Sequence, residues 1–373
     1  MKKIVLSIFL VIICSTTTTL LAGKNEEVAK GKALQKKYPK EKYLALHSLT
    51  HVTFGKNQKK RGLNTDNYIY CESKTREKLI SLSENYYYQK SVFYSTTIGS
   101  VSNIYYSEGK NKRLSLSVSD NLANSGNFDY GYRYKDLKVV LGSLGHELTY
   151  QYVEHTQNIK YLNRIFFHDE QHQAKIRTIR IDIPKYLDLD IREFNFEGFE
   201  IKHTTKQVKI KSKSVTRHEY VIKDVAKFKG EYKADNVTFN YPHLILIPKT
   251  FDYKGVQKHV FSDSKDLYKW YTSLTKDLTY DHESYTKFTK TLIKDCKTDE
   301  EKIKKIYYWV QDNIRYIAFE AGLAGFIPDQ AHLVFKKKYG DCKGMGNLCK
   351  AMLKAAGFDA RLAWIGTSSI PYD

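Results

Sequence analysis

Alternating apolar and polar residues run through the middle of the chain. In RLSLSVSD, from Arg113, two leucines and a valine alternate with serines, and in KIRTIRIDIP, from Lys175, isoleucines alternate with polar residues. A period of two places successive side chains on opposite faces of a strand. Between about 111 and 255 such runs are separated by Gly, Asn and Pro. They predict antiparallel sheets with one face in water, arranged as a β-sandwich or one large curved sheet.

The pattern differs on either side of this region. Residues 24–110 are mixed, and Lys74–Gln89 places Leu79, Ile80 and Leu82 at a spacing that predicts a helix. After about 262 apolar residues follow helical spacing, at Leu267, Trp270, Tyr271, Leu274, Leu278, Ile303, Ile306, Val310 and Ile314. The sequence AGLAGFIPDQ then predicts a loop. The fold class is therefore α+β, with a β-rich, sandwich-like domain at 24–260 and the beginning of an α+β domain at 262–373.

The first residues have the three parts of a secretory signal peptide. Lys2 and Lys3 precede an apolar stretch, Ile4–Cys14, and LLAG at 20–23 provides a cleavage site. The stretch is short for a membrane span. A lipoprotein signal would use Cys14, but the preceding Ile13 is bulkier than such sites prefer. We expect residues 1–22 to be removed on export, leaving a soluble protein without a transmembrane segment in the periplasm, at the envelope or outside the cell.

The charge is strongly basic, but lysine supplies most of it. The formal net charge is +20, and 11 of the 61 basic residues are arginine. Proteins that read bases and phosphates use the planar guanidinium group of arginine. The composition therefore disfavours nucleic acid as a partner. A basic surface instead favours anionic envelope or glycan partners, and the oligomeric state is not predicted.

Four cysteines remain after the signal peptide. If 342–356 is helical, Cys342 and Cys349 lie roughly 10.5 Å apart along the axis, which exceeds the limit of about 7 Å between Cα atoms of a disulfide. We expect these two not to pair. A disulfide between Cys71 and Cys296 is possible in an exported protein, but nothing in the sequence supports it.

Cys342 lies in the segment with the clearest chemical pattern, YGDCKGMGNLCKAMLKAAGFDARLAWIGT, which begins at Tyr339. Asp341 is a good N-cap, Gly357 stands where a helix would end, and a strand at 360–365 is expected to follow. One predicted helical face carries Cys342, Met345, Cys349, Met352, Leu353 and Ala356. The helix dipole favours a thiolate in the first turn, which Asp341 opposes and Lys343 restores. The alternative is a buried structural cysteine.

The chain over roughly 285–373 resembles the transglutaminase-like superfamily. The segments that carry this resemblance are NIRYIAFEAG, IPDQA and KKKYGDCKGMGNLCKAMLKAAGFDARLAWIGT. The region containing IFFHDEQHQAKIRTIRIDIP resembles the domain of unknown function DUF3857. The resemblance implies that Cys342 is the nucleophile of a Cys-His-Asp triad. It would attack a glutamine-like or peptide amide of a protein or peptide substrate, and water or an amine would resolve the thioester. No cofactor and no metal are implied.

Two departures from the family pattern bear on activity. Gly344 stands where many relatives carry Asp, which removes a structural hydrogen bond. The family's His and Asp follow the cysteine helix and the next strand, so the triad is incomplete up to Asp373, and activity requires a longer natural chain that supplies them. The transglutaminase-like core within residues 262–373 is therefore incomplete, and we expect it to leave a sheet edge and an apolar helix face uncovered. His332, expected in a loop, and the terminal Asp373 are poor substitutes for the missing base and acid.

Two functions remain open from the sequence. The first is an exported thiol enzyme, with hydrolysis favoured over cross-linking and with no activity in the 373-residue chain alone. The second is a non-catalytic envelope-associated binding or structural protein, in which the cysteine helix only packs. A segment carrying His and Asp after Asp373 would distinguish them.

Other histidines give weaker signals. His168 and His172 in FFHDEQHQ would share a helix face suited to zinc, but their flanks predict strands, and a polar hairpin tip is the preferred interpretation. His146 and His282 have no partner at ligand spacing. The sequence has no G-x-S-x-G nucleophile elbow, phosphate loop or dinucleotide fingerprint.

Overall fold

The computed structural model describes residues 25–57, 67–108, 112–114, 117–125, 128–228, 237–280, 282–317 and 322–366. The predicted signal peptide at 1–22 lies outside these ranges. The helices are α1 (25–37), α2 (Val237–Asn240), α3 (Ser264–Thr275), α4 (Glu283–Leu292), α5 (Asp299–Asn313), α6 (Ala331–Lys337) and α7 (Cys342–Ala355). Within the described ranges, no helix is both long and apolar enough to cross a bilayer.

Most of the N-terminal part is strand. The strands are β1 (Tyr43–Lys56), β2 (Ile69–Ser81), β3 (Tyr86–Ser95), β4 (Gly99–Glu108), β5 (Lys112–Leu114), β6 (Ser117–Ser125), β7 (Phe128–Leu141), β8 (Glu147–Thr156), β9 (Ile165–Phe166), β10 (Ala174–Pro184), β11 (Leu187–Phe194), β12 (Lys202–Ile210), β13 (Lys213–Val225), β14 (His243–Tyr253), β15 (Val256–His259), β16 (Arg315–Tyr316) and β17 (Tyr339–Gly340). A β-rich region is thus followed by a mainly helical one, which confirms the α+β class.

One large sheet organises the β-rich region. Its eight strands lie in the order β12-β13-β10-β1-β2-β8-β4-β5, and β1 and β10 are parallel while the other neighbours are antiparallel. Two smaller sheets, β11-β14-β15 with β9 on β14, and β3-β7-β6, supply residues to the same apolar core. The core lies between the large sheet and the smaller ones, because each sheet buries one apolar face.

In strand β10 the two-residue period predicts the burial of only one of the two faces correctly. Ile179 and Ile181 are fully buried, as the alternation predicts, but Thr178 and Asp182 on the opposite face are buried as well. The expectation of a water-facing side is wrong for this strand. The Asp182 carboxylate accepts a hydrogen bond from Arg217 Nε at 2.6 Å and lies 2.7 Å from His51 Nε2, so ionic partners replace water.

The helix predicted for Lys74–Gln89 is wrong. The segment contains the end of β2 and the start of β3. Alternation in β2 buries Thr75, Glu77 and Leu79 while the intervening basic residues are exposed. Pairing with β1 and β8 on both edges decides the outcome, because tertiary partners override a local propensity that is worth little per residue.

The C-terminal helices form their own core. Tyr285 of α4, Ile306 and Val310 of α5, and Leu348 and Met352 of α7 are buried together. A capping box begins α5, with its side-chain bonds made in both directions between Thr298 and Glu301. The predicted domain boundary at 260–262 falls between the end of β15 and the start of α3.

An aromatic cluster joins the two regions. Trp270 of α3 lies at the centre, with ring centroids 5.2 Å from Phe326, 5.6 Å from Phe261 and 6.1 Å from Tyr161 of the β-rich region. Trp364, near the C-terminal end of the described chain, packs on the same ring at 5.9 Å. Aromatic rings at these separations bury large areas, so the cluster fixes the cysteine-bearing helices against the sheets.

Candidate active site

A short strand pair positions the turn before Cys342. Tyr339 and Gly340 form β17, which lies parallel to β16, and the Ile317 amide donates to Gly340 O at 3.0 Å. A Cβ on Gly340 would lie 3.2 Å from Val334 Cγ1 of α6, so a side chain would press on that helix. The glycine therefore lets the chain pass close to α6 before it enters α7.

Asp341 is the N-cap of α7, as the sequence predicts. Its Oδ1 accepts a hydrogen bond from the Gly344 amide at 2.8 Å, and its backbone carbonyl accepts one from Met345 at 2.8 Å. Lys343 forms an ion pair with the same carboxylate. Both partners are largely shielded from solvent: 17% of the Lys343 side chain and 7% of the Asp341 side chain are exposed. The cap and the ion pair hold the first turn in one geometry.

Gly344 of α7 is enclosed by the side chains of neighbouring segments. A Cβ there would lie 3.3 Å from Val334 Cγ2 and 3.5 Å from Asp329 Cβ. Asp329 also accepts, through its backbone carbonyl, a hydrogen bond from the fully buried Asn347 Nδ2 at 2.8 Å. Close packing between α6 and α7 therefore occupies the space that an acidic side chain would need.

Cys342 is exposed at the first residue of α7. The interpretation as a buried structural cysteine is wrong for this residue. The amides of Cys342 and Lys343 have no acceptor within their own helix, because the first turn of any helix leaves its N–H groups free. An exposed sulfur beside two such donors is a suitable place for a negatively charged oxygen to form. Among the described residues, no histidine is hydrogen-bonded to this thiol.

The buried face of α7 differs from the predicted one. Leu348, Ala351 and Met352 are fully buried, whereas Met345, Cys349 and Leu353 are half-buried and line a groove of about 410 Å³ with Tyr307 and residues 360–363. Burial raises the pKa of the Cys349 thiol. This groove corresponds to the uncovered apolar surface that the sequence predicts. The four cysteines outside the signal region are all free.

The strand predicted at 360–365 does not form. The segment belongs to no described sheet, and Ile365 is 92% exposed. A strand requires a neighbour to bond its amides and carbonyls, and none of the described residues supplies one. Helix α7 ends as expected, with Gly357 at φ +96° after the last turn.

His332 lies in α6 rather than in a loop, so that expectation is wrong. Its ring stacks on His282 with centroids 4.7 Å apart and planes at 7°, and its Nδ1 is buried without a hydrogen-bond partner among the described residues. His282 itself caps α4 by accepting from the Ser284 amide at 3.3 Å. The structure thus brings His332 to His282 and not to the thiol. Asp373 lies outside the described residues.

The polar hairpin tip expected around His168 and His172 is also wrong, because both residues are buried. His172 Nε2 lies 3.1 Å from a Glu77 oxygen, and its Nδ1 lies 3.3 Å from Asp169 Oδ1 without hydrogen-bond alignment. Burial by itself would lower the pKa of His172, but the Glu77 and Asp169 carboxylates raise it to about 9. His168 packs among aromatic rings instead, and burial lowers its pKa to about 4.

Glu77, Asp169 and His172 are the described residues closest to a metal-ligand set, with ligand atoms within 4.8 Å of one another. Lys90 Nζ already lies 2.5 Å from Asp169 Oδ2, and a protonated His172 cannot ligate. The cluster therefore fits a buried ion network better than a metal centre. The sequence gives no signal for Glu77 or Lys90, because they come from β2 and β3, far from the histidines along the chain.

Comparison with known proteins agrees with the geometry around Cys342. Residues 286–368 match the family model of the transglutaminase-like superfamily, so this region is a transglutaminase-like core. No curated protein shows significant sequence similarity to the chain. The resemblance of the N-terminal region to DUF3857 stays a prediction.

Solved structures extend the comparison to most of the chain. A crystal structure described as that of a candidate protease from Parabacteroides distasonis has 14% identity and a TM-score of 0.56. The match covers 85% of this chain and 59% of that protein. It shows a shared fold, and this chain spans about three fifths of its length. A candidate nutrient-binding protein from Legionella pneumophila has 10% identity over 85% of this chain and 94% of its own, but a TM-score of 0.30, which does not establish a common fold.

Proposed function

We propose that this chain is an exported thiol enzyme that cleaves or transfers the acyl group of an amide in a protein or peptide, with Cys342 as its nucleophile. The observation that carries the proposal is the position of the thiol. It is exposed at the first residue of α7, inside the segment that matches the transglutaminase-like family. A structural cysteine on the same helix, such as Cys349, is instead partly buried among apolar residues.

The chemistry follows from that position. The Cys342 thiolate attacks the amide carbonyl carbon, and the resulting oxyanion accepts hydrogen bonds from the free amides of the first turn. The C–N bond then breaks, the amine leaves with a proton from a general acid, and a thioester remains. Water or another amine attacks the thioester and the C–S bond breaks, which returns the thiol. In this proposal the histidine and the acid lie outside the described residues.

The capping network has a specific part in this proposal. Asp341 uses its carboxylate to bind the Gly344 amide and Lys343, and so leaves the amides of Cys342 and Lys343 free. Its negative charge is neutralised by Lys343 and does not oppose the thiolate fully. We therefore assign Asp341 and Lys343 positioning roles, and Cys342 alone a catalytic role.

Two features outside the site bear on the substrate class and the location of the protein. The fold neighbour from P. distasonis is described as a candidate protease, which supports a peptide or protein substrate. The signal-like residues 1–22 support export, and for an exported enzyme we favour hydrolysis over cross-linking.

The test uses the natural protein, purified from the cells that produce it. The protein is incubated with a glutamine-containing peptide and hydroxylamine. A thioester intermediate is trapped as a hydroxamate, so we expect hydroxamate from the wild type. Cys342→Ala should reduce it to background, and Cys349→Ala should leave it within about twofold, because that thiol lies away from the first turn. Equal hydroxamate from wild type and Cys342→Ala would refute the assignment. No hydroxamate from any of the three would favour the non-catalytic envelope protein.

A further inference from the structure

One part of the inner face of the large sheet is polar, whereas the rest of that face contributes to the apolar core. Four adjacent strands, β10, β1, β2 and β8, turn polar side chains towards the smaller sheet that contains β9 and β14. They surround two neighbouring cavities of about 70 and 250 Å³. The residues common to both linings are Thr50, Thr75, Tyr152 and Arg177. Buried polar groups cost free energy unless they are hydrogen-bonded, so this interior needs an explanation.

Arg177 lies at the junction of the two cavities. Its Nη1 donates to Ser48 Oγ at 3.1 Å and its Nη2 donates to the Phe166 carbonyl at 3.2 Å. It forms no direct ion pair with a carboxylate of the described residues. Burial lowers its pKa, and the charges of Glu77 and Asp169, which line the smaller cavity, oppose this in part. A guanidinium group has five N–H donors, and here two neutral oxygens are its hydrogen-bond acceptors. Its remaining N–H donors can bind an anion in the cavity.

Glu154 of β8 lines the larger cavity and is also unpartnered. No described residue makes a hydrogen bond or an ion pair with its carboxyl group. Burial raises the pKa of Glu154 to about 7, and the charge of Lys90 opposes this only in part. A cationic ligand group would stabilise the ionised carboxylate. The larger cavity is thus lined by the Glu154 carboxyl group and by the guanidinium groups of Arg164 and Arg177. Among the described residues, neither Glu154 nor Arg177 has a direct ion-pair partner.

The two groups are too far apart to neutralise each other. Strand register aligns Arg177 with Ser48 of β1, and aligns Glu154 with Ser73 of β2 and hence with Val52 of β1. This places them three strands and four residues apart, roughly 19 Å between Cα atoms at normal sheet spacings. A molecule that binds both groups at once therefore needs opposite charges at its two ends.

We propose that this cavity binds a small zwitterion of one or two amino-acid residues, with its carboxylate on Arg177 and its ammonium group on Glu154. A volume of about 250 Å³ corresponds to roughly eight water molecules at about 30 Å³ each, which is enough for a ligand of this size. Arginine binds carboxylates through paired N–H donors. The exposed residues Asn163 and Arg164 line the same cavity and mark its opening.

The test is isothermal titration calorimetry of the full chain with glycylglycine, propionate and propylamine. The zwitterion should bind at least about tenfold more tightly than either singly charged probe, since a hydrogen bond to a charged group contributes that much. Arg177→Gln and Glu154→Gln should each weaken glycylglycine binding by about tenfold or more. The matched controls, Arg76→Gln and Glu72→Gln, change exposed residues on the outer face of β2 and should have no effect.

A second comparison separates ligand contact from a structural role. Glu154→Gln should weaken glycylglycine binding but leave propionate binding unchanged, because only the ammonium group contacts Glu154. A general loosening of the sheet would weaken both probes. The proposal is overturned if glycylglycine gives no heat at millimolar concentrations, if propionate binds as tightly as glycylglycine, or if neither cavity variant changes binding. Any of these results would leave a water-filled cavity.

Discussion

The buried pair of His172 and Glu77 makes stability depend on pH in a definite direction. The two side chains, 1% and 5% exposed, lie 3.1 Å apart between β2 and the segment before β10. Tyr150 and Ser48 donate hydrogen bonds to the same carboxylate, Ser48 at 2.5 Å. Replacing His172 by Gln removes the positive charge and leaves Glu77 and Asp169 with less compensation. Breaking a buried ion pair on one side typically costs about 3–5 kcal/mol.

The magnitude follows from the pKa of His172, which rises from 6.5 to about 9 in the folded protein. A shift of about 2.5 units corresponds to about 3 kcal/mol of folding free energy. Because the folded pKa is raised, this contribution is complete below pH 6.5 and is lost as the pH rises through 9. The pKa of Glu77, lowered to about 2 against the opposing effect of burial, describes the same interaction and is not added to it.

The assay is urea denaturation of wild type and His172→Gln at pH 6 and pH 10, followed by far-ultraviolet circular dichroism. At pH 6 the variant should be less stable by about 3 kcal/mol or more, and the difference should shrink by about 3 kcal/mol at pH 10. His168→Gln is the matched control. Burial lowers the pKa of His168 to about 4, so its effect appears only as the pH falls below 6.5.

Two results would refute this reasoning. One is a stability difference between wild type and His172→Gln that is the same at pH 6 and pH 10. The other is a His172→Gln protein as stable as wild type at pH 6, which would mean that the carboxylates do not hold a protonated imidazole. Since alkaline titration of Tyr and Lys affects both proteins alike, the difference between them isolates His172.

Three further outcomes test the packing around Cys342. Asp341→Ala should cost about 1 kcal/mol through the lost N-cap and change the alkylation rate of the thiol, whereas Thr298→Ala, at the cap of α5, should cost a similar amount without that change. Trp270→Ala should destabilise the C-terminal region by about 3–5 kcal/mol, seen as faster limited proteolysis after α3; unchanged resistance would contradict the role of the aromatic cluster. Gly346→Ala should raise the urea midpoint by the equivalent of about 0.5–1 kcal/mol, because a Cβ there would meet only Leu362, at 4.0 Å. Gly344→Ala should give no such increase in stability. An increase at both positions would show that α6 moves aside for the added methyl group.

The sequence by itself determined the features that depend on neighbouring residues. The change from a period of two to a helical period separates the β-rich region from the helices, and the structure confirms the α+β class. Asp341, Cys342 and Gly357 were correctly placed at the two ends of α7, because capping and the start of a helix involve residues within a few positions of one another.

Only the tertiary structure decided which polar residues are buried and what they meet. His172 and Glu77 are 95 positions apart, and Arg177 and Glu154 face one cavity from strands that are not adjacent in the sheet. Alternation shows that two faces exist but not whether a second sheet covers the polar one. The helix predicted at Lys74–Gln89 and the strand predicted at 360–365 are wrong because the sequence does not show which segments pair as strands. Strand pairing depends on a distant partner, which β2 has on both edges and 360–365 lacks among the described residues.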